Sequence, residues 1–190
     1  MLVTTTYLQQ RDPADLKPAR PPRHPATIVR VDEPSPEFAR FLYTAVGGDW
    51  HWTDRLPWTP ADWTDWLARP GAETWASWID GTPAGYVELA AEVDGDTGTT
   101  DVEIAYFGLL PRFIGRGLGG QLLTAGVRNA WTLRQRSPEL PPVTRVWVHT
   151  CSLDGPHALR NYTARGFTIY RTTEHEHPVT DTPPGPSHCW

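Results

Sequence analysis

The sequence is poor in cysteine, in positive charge and in long apolar runs. Its 190 residues contain two cysteines, Cys151 and Cys189, and neither belongs to a Cys-x-x-Cys pair. Two isolated cysteines argue against a structural zinc site and against a disulfide framework, so we expect no bound metal. The net charge of -5 provides no basic field for nucleic acid, although it is compatible with a cationic substrate.

The N-terminus and the apolar segments set further limits. No apolar run approaches the roughly 20 residues that a membrane-spanning helix needs. Residues 1–12 lack the charged start and apolar stretch of a secretion signal. We therefore expect a cytoplasmic protein without a membrane partner. The length suits one domain with a substantial core and is short for two.

Apolar periodicity, helix caps and turn residues predict an alternation of strands and helices. Strands are predicted at residues 2–9, 27–31, 74–79, 85–93, 101–110, 143–150 and 167–171, with a last short strand near His188. Helices are predicted at residues 36–46, 60–68, 119–134 and 154–166. We divide the chain into an N-terminal extension, residues 1–25, made of an edge strand and a Pro-rich linker, and a main domain, residues 26–190.

The most informative segment is DVEIAYFGLLPRFIGRGLGGQLL, residues 101–123. An apolar strand ends at Pro111, and four glycines follow within six positions: Gly115, Gly117, Gly119 and Gly120. These glycines leave the backbone bare, so successive N–H groups can turn toward one anion, assisted by the positive end of the helix that begins there. The segment therefore predicts a phosphate-binding loop.

Glu103 lies within the strand that precedes this loop, between Val102 and Ile104. Partial desolvation raises the pKa of a carboxylate in such an apolar run toward neutral pH, which suits a general base. Two other kinds of phosphate-binding loop fit poorly. No Lys followed by Ser or Thr comes after the last glycine, as in a Walker loop, and no acidic residue for a ribose lies about 20 positions further on.

These features resemble motif A of the GNAT superfamily, the acetyl-coenzyme A dependent N-acetyltransferases. Glu103 lies eleven residues before Ile114, as the base lies before the pyrophosphate loop in histone-acetylating members. The family pattern Gln/Arg-x-x-Gly-x-Gly falls on residues 114–119, with Ile114 in place of Gln or Arg, and Arg112 or Arg116 is expected to supply the lost charge. The resemblance implies a coenzyme A site that comprises Leu109, Leu110, Arg112, Ile114, Gly115, Arg116, Gly117, Leu118, Gly119 and Gly120.

A second segment, residues 155–167, is similar to the family pattern Asn-x-x-Ala-x-x-x-Tyr-x-x-x-Gly-Phe. The matching residues are Ala158, Tyr162, Gly166 and Phe167. Gly155 stands where the family has Asn, which often holds the pantetheine arm. Asp154 or Asn161 is expected to make that contact instead.

The resemblance also implies how the proton transfers are divided. An ammonium group cannot attack a thioester, so a base must first remove a proton, and the departing thiolate must then be protonated. Glu103 is the implied base, directly or through water, and Tyr162 the implied acid. A backbone N–H near Leu109 would meet the negative oxygen of the reacting carbonyl. His149, on the strand at 143–150, is a rival base, although a histidine satisfied in the core is more common.

Tryptophan is abundant, and seven of the ten lie within residues 50–78. Trp63 and Trp66 have helical spacing and are expected to fill the core. Trp50 and Trp52 belong to a loop that the family places over the acceptor, where aromatic rings hold cationic or apolar groups. Asp54 follows closely and is a candidate anchor for a second amine of the substrate.

The fold implied by the resemblance is α/β (α+β), with a mixed, mostly antiparallel sheet of about seven strands flanked by helices and with the N-terminal strand added. The implied function is transfer of acetyl from acetyl-coenzyme A to a primary amine of a small molecule. Two alternatives stay open: a protein or peptide amine as acceptor, and a non-catalytic acyl-coenzyme A sensor. The added strand either pairs across a homodimer or covers an edge of its own sheet.

Overall fold

The computed structural model describes residues 1–176, so the predicted strand near His188 lies outside the described residues. A seven-stranded sheet forms the centre of the fold. Its strands are β1 (Leu2–Gln10), β2 (Thr27–Arg30), β3 (Glu73–Ile79), β4 (Thr82–Asp94), β5 (Thr99–Leu109), β6 (Val143–Cys151) and β7 (Thr168–Glu176). Only β5 and β6 pair in parallel within this sheet, which confirms the predicted mixed, mostly antiparallel α/β fold.

The described residues contain four α-helices that flank the sheet: α1 (Pro36–Gly47), α2 (Pro60–Leu67), α3 (Leu118–Trp131) and α4 (Ala158–Ala164). Side chains cap the first two, since Ser35 accepts a hydrogen bond from the N–H of Phe38 and Thr59 accepts one from the N–H of Asp62. In contrast, α3 follows Gly117 without a side-chain cap. Its first N–H groups are therefore left for another partner. None of these helices is long and apolar enough to cross a membrane.

Successive side chains of β4 point to opposite faces of the sheet, and helices pack on both faces. Val87 faces α3, where a Cβ added to Gly126 would lie within 2.9 Å of it. Tyr86 points to the opposite face and packs with Leu42 of α1. The larger hydrophobic core lies on the α3 side and includes Tyr162 of α4.

The N-terminal strand is not an edge strand, so that prediction was wrong. β1 lies inside the sheet between β6 and β7 and runs antiparallel to both, with Tyr7 paired to His149 on one side and to Arg171 on the other. Such pairing between distant segments leaves no local pattern in the sequence. Leu8 of β1 is part of the main core, so the extension and the main domain are packed as one body.

The Pro-rich linker that follows β1 lies against α3. The N–H of Ala19 donates to the hydroxyl of Thr124, and Ala26 exchanges two hydrogen bonds with the side-chain amide of Gln121. A Cβ added to Gly117 would lie 3.4 Å from the side chain of Pro22. The linker therefore borders the glycine loop.

Some element boundaries differ from those predicted. The β3–β4 turn is limited to Asp80 and Gly81, which have φ values of 48° and 77°, as two-residue hairpin turns require. β4 therefore begins at Thr82. α3 ends at Trp131, and α4 begins only at Ala158.

Candidate active site

β5 and β6 run side by side and then separate, which opens the sheet. Their pairing extends only to Glu103 and Trp147, although β5 continues to Leu109 and β6 to Cys151. A cleft of about 1340 Å³ lies at this opening, and residues 104–109 of β5 line it. The backbone of β5 beyond Glu103 thus borders a cleft where a neighbouring strand would otherwise continue.

The glycine loop forms one end of the cleft. Gly115 and Gly117 have φ values of 82° and 79°, which L side chains rarely adopt. Both residues line the cleft together with Ile114 and Gly119. Because α3 begins directly afterwards without a side-chain cap, its positive end and its free N–H groups lie next to the cleft.

The structure brings part of the predicted coenzyme A site to the cleft. Seven of the predicted residues line it: Leu109, Ile114, Gly115, Gly117, Gly119, Asp154 and Asn161. Five lie outside its lining: Leu110, Arg112, Arg116, Leu118 and Gly120. Leu118 is buried in the core, and a Cβ added to Gly120 would lie 2.9 Å from Ala19 of the linker. The guanidinium groups of Arg112 and Arg116 lie 4.7 and 5.2 Å from the ring centre of Phe113, close to the loop.

The turn between β6 and α4 contains the residues that depart from the family pattern. The Asp154 carboxylate accepts hydrogen bonds from the Thr150 hydroxyl, at 2.7 Å, and from the N–H of Cys151, at 2.9 Å. Gly155 packs against Trp50, whose ring would lie 3.4 Å from a Cβ at that position. A Cβ at this position would make an ordinary van der Waals contact with Trp50, so Gly155 brings the backbone of this turn close to the Trp50 ring.

Glu103 lies at the last position of β5 that pairs with β6, with 23% of its side chain exposed. Burial raises the pKa of its carboxyl group to about 7, and the negative charge of Glu92 contributes to the rise. The desolvation expected from the sequence is therefore present. Glu103 is not among the residues that line the cleft.

His149 lies between Glu103 and the cleft. Its Nε2 atom is 3.6 Å from Oε1 of Glu103, and 48% of its side chain is exposed. It lines the cleft, and burial of part of the ring lowers its pKa. The expectation that this histidine is satisfied in the core was wrong, because β6 has no parallel neighbour beyond Trp147 to cover it.

Tyr162 of α4 lines the cleft. Its ring is 6.0 Å from that of Phe107 and 6.2 Å from that of Phe167. Burial raises its pKa well above the usual range, so the phenol keeps its proton and can donate it in a hydrogen bond.

Asp54 and two tryptophans form the opposite part of the cleft. Trp50, Trp52 and Asp54 all line it. The Asp54 carboxylate accepts hydrogen bonds from the hydroxyls of Tyr106, at 2.5 Å, and Tyr43, at 3.4 Å. The ring of Trp52 packs at 4.9 Å from Tyr106 and 5.7 Å from Tyr43. The structure thus places one acidic group within an aromatic wall.

Three other tryptophans of this region, Trp58, Trp63 and Trp66, surround a buried arginine that the sequence analysis missed. Arg55, with 5% of its side chain exposed, donates two hydrogen bonds to the carboxylate of Glu88, at 2.9 and 3.1 Å. Its guanidinium carbon lies 4.5, 5.6, 4.2 and 4.3 Å from the ring centres of Trp58, Trp63, Trp66 and Tyr106. This cluster holds the residue next to Asp54 and accounts for three of the seven tryptophans within residues 50–78. Glu88 carried the same signal as Glu103, an acidic residue in an apolar strand.

Comparison with known proteins agrees with this architecture. The sequence profile of the acetyltransferase (GNAT) family matches residues 36–167. The chain belongs to this family. No curated protein matches the sequence.

Solved structures with this fold include several acetyltransferases. A GCN5-related N-acetyltransferase from Kribbella flavida has 21% identity and a TM-score of 0.60, over 93% of this chain and 59% of that one. A GCN5-related N-acetyltransferase from Sphaerobacter thermophilus has 14% identity and a TM-score of 0.56, over 90% of this chain and 50% of that one. This GNAT chain therefore spans only about half of the length of these two relatives.

A third structure is an aminoglycoside acetyltransferase from an uncultured soil metagenomic sample, in complex with sisomicin. It has 13% identity and a TM-score of 0.60, over 82% of this chain and 97% of that one. At these identities, the three likenesses establish the shared fold.

Proposed function

We propose that the protein transfers the acetyl group of acetyl-coenzyme A to a primary amine of a small molecule. The observation that carries this proposal is the opening between β5 and β6. It joins the uncapped start of α3 to the side of the sheet where Glu103, His149 and Asp54 lie. One cleft therefore borders groups suited to a phosphate and groups suited to an amine.

The residues of the cleft fit coenzyme A. Two glycines with positive φ and the free N–H groups of α3 suit the diphosphate. The volume of about 1340 Å³ exceeds the roughly 300–1,000 Å³ of sites for drug-sized ligands, as a long cofactor requires. Acetyl-coenzyme A supplies the acetyl group as an activated thioester.

The chain supplies the proton transfers. Glu103 provides the basic carboxylate for deprotonation of the amine, directly or through an intervening group, and the amine then attacks the thioester directly. The pKa of about 7 keeps a useful fraction of this carboxylate ionised at neutral pH. The Tyr162 hydroxyl, protonated over the whole working range, donates to the leaving sulfur. The backbone of β5 near Leu109 provides N–H groups for the carbonyl oxygen.

The part of the cleft formed by Trp50, Trp52 and Asp54 favours a small molecule over a peptide as the acceptor. Trp50 packs on Gly155, and a Cβ at Gly47 would clash with Trp52, so both rings are fixed against the backbone. They line this part of the cleft beside Asp54, whose carboxylate suits a second cationic group of the acceptor. An amine with a further positive charge, such as a polyamine, has this chemistry.

Release of free thiol from acetyl-coenzyme A with a panel of mono- and diamines tests the proposal. We expect turnover with at least one diamine, and binding of coenzyme A in calorimetry. Tyr162→Phe should lower kcat by about 100-fold or more while coenzyme A binding stays unchanged. Binding without any turnover would favour the acyl-coenzyme A sensor, and absence of binding would refute both functions.

A further inference from the structure

We propose that His149, and not water, receives the proton of the acceptor amine and that Glu103 acts behind it as its partner. This inference rests on the proposed function and specifies how its first proton transfer occurs. The amine nitrogen loses two protons in forming the amide. One passes to Nδ1 of His149, and the imidazolium then releases it to the solvent. Tyr162 gives its hydroxyl proton to the departing sulfur. The second proton of the amine nitrogen then restores the Tyr162 hydroxyl.

The positions of the two side chains relative to the cleft carry this proposal. His149 lines the cleft, whereas Glu103 does not. Nε2 of His149 faces Oε1 of Glu103 at 3.6 Å, so Nδ1 is the ring nitrogen available to an amine. Within residues 1–176 no hydrogen bond to Nδ1 is formed. A separation of 3.6 Å is slightly long for a hydrogen bond, and catalytic hydrogen bonds commonly shorten when the substrate binds.

Neighbouring aromatic rings hold the imidazole in place. The ring of Tyr7 lies 5.8 Å from His149, and that of Trp147 lies 6.2 Å from it. Tyr7 is the direct partner of His149 in the β1–β6 ladder, and Trp147 is the direct partner of Glu103 in the β5–β6 ladder. The N-terminal strand therefore contributes a positioning residue, Tyr7, to the site.

The charged groups near His149 and Glu103 favour an imidazole that is neutral at first and then gains a proton. Burial lowers the pKa of His149, and the carboxylates of Asp154 and Asp54 oppose that change. Around Glu103 lie two acidic and two basic groups, Glu92, Glu88, Arg55 and Arg69. The acidic groups near the imidazole and the Glu103 carboxylate all stabilise the imidazolium once it forms.

Removal of the imidazole gives a direct test. His149→Ala should lower kcat by about 100-fold or more, with affinity for coenzyme A within twofold of the wild type in calorimetry. Added imidazole should restore part of the lost turnover. His24→Ala is the matched control, because His24 is exposed on the linker and outside the cleft lining, and it should retain full activity. A kcat for His149→Ala within threefold of the wild type would overturn the proposal and leave water as the carrier.

A second test uses the wild-type protein and measures which ring nitrogen of His149 carries the proton. Nitrogen-15 NMR of the wild-type protein at pH 8 should show the His149 imidazole neutral, with its proton on Nε2, facing Glu103. A proton on Nδ1 would overturn the inference, because that nitrogen has no lone pair for the amine. If the wild type binds coenzyme A but no amine in the panel releases thiol, the proposed function itself is refuted, a result distinct from an active His149→Ala variant.

Discussion

Glu103→Gln should make the protein more stable at alkaline pH while it abolishes most of the activity. The folded state holds the pKa of Glu103 at about 7, against 4.5 for the free side chain. Between these values the folded protein binds a proton that the unfolded chain releases, so stability falls as the pH rises through 7. Since each pKa unit corresponds to about 1.4 kcal/mol, the cost to the wild type at pH 8 is at most about 3 kcal/mol.

The glutamine side chain has nearly the same shape and carries no charge, so the variant avoids this cost. Its free energy of unfolding in urea should exceed that of the wild type by up to about 3 kcal/mol at pH 8 and by little near pH 4.5. In thermal unfolding this corresponds to roughly 6–12 °C at pH 8. Glu33→Gln is the control, because Glu33 is exposed and its variant should match the wild type within about 0.5 kcal/mol. Parallel stability curves for Glu103→Gln and the wild type would refute the reasoning.

Three further predictions concern other parts of the site. Arg55→Met leaves Glu88 buried without its cation and should cost about 3–5 kcal/mol in urea unfolding, much of which the double variant with Glu88→Leu should recover. Gly117→Ala should weaken coenzyme A binding about tenfold in calorimetry, whereas Gly81→Ala, at a similar positive φ, should lower stability alone. Asp54→Asn should raise KM about tenfold for diamines and little for monoamines; equal changes for both would exclude an anchoring role.

Local patterns in the sequence account for what could be predicted. Three predicted features each depend on residues within one short segment: the glycines at 115–120, the acidic residue inside an apolar strand, and the helix that contains Tyr162. The structure places Tyr162 and much of the glycine loop at a common cleft. The order of strands and helices from residue 27 to 171 was also predicted correctly, because caps and turns act over a few residues.

Features that join distant segments were not predicted. β1 enters the sheet between β6 and β7, and nothing in residues 2–9 specifies a partner beyond residue 140. The contact between Arg55 and Glu88 likewise crosses from a loop to a strand. The exposure of His149 follows from the loss of pairing after Glu103, which depends on how two parallel strands diverge and not on the residues of either strand alone.

The contrast between Glu88 and Glu103 supports the proposed role of Glu103 over a similar role for Glu88. Both lie in apolar stretches of neighbouring strands, and burial raises the pKa of each. Glu88 accepts two hydrogen bonds from Arg55 and one from the indole of Trp66, so its charge is balanced within the fold. Glu103 has only His149 within ion-pair distance in the described part of the chain. A largely buried carboxylate without a permanent cation costs stability, and His149, which lies beside Glu103, lines the cleft. Because this cost has no compensating cation within the described residues, it supports the proposed assignment of the proton transfer to His149 and Glu103.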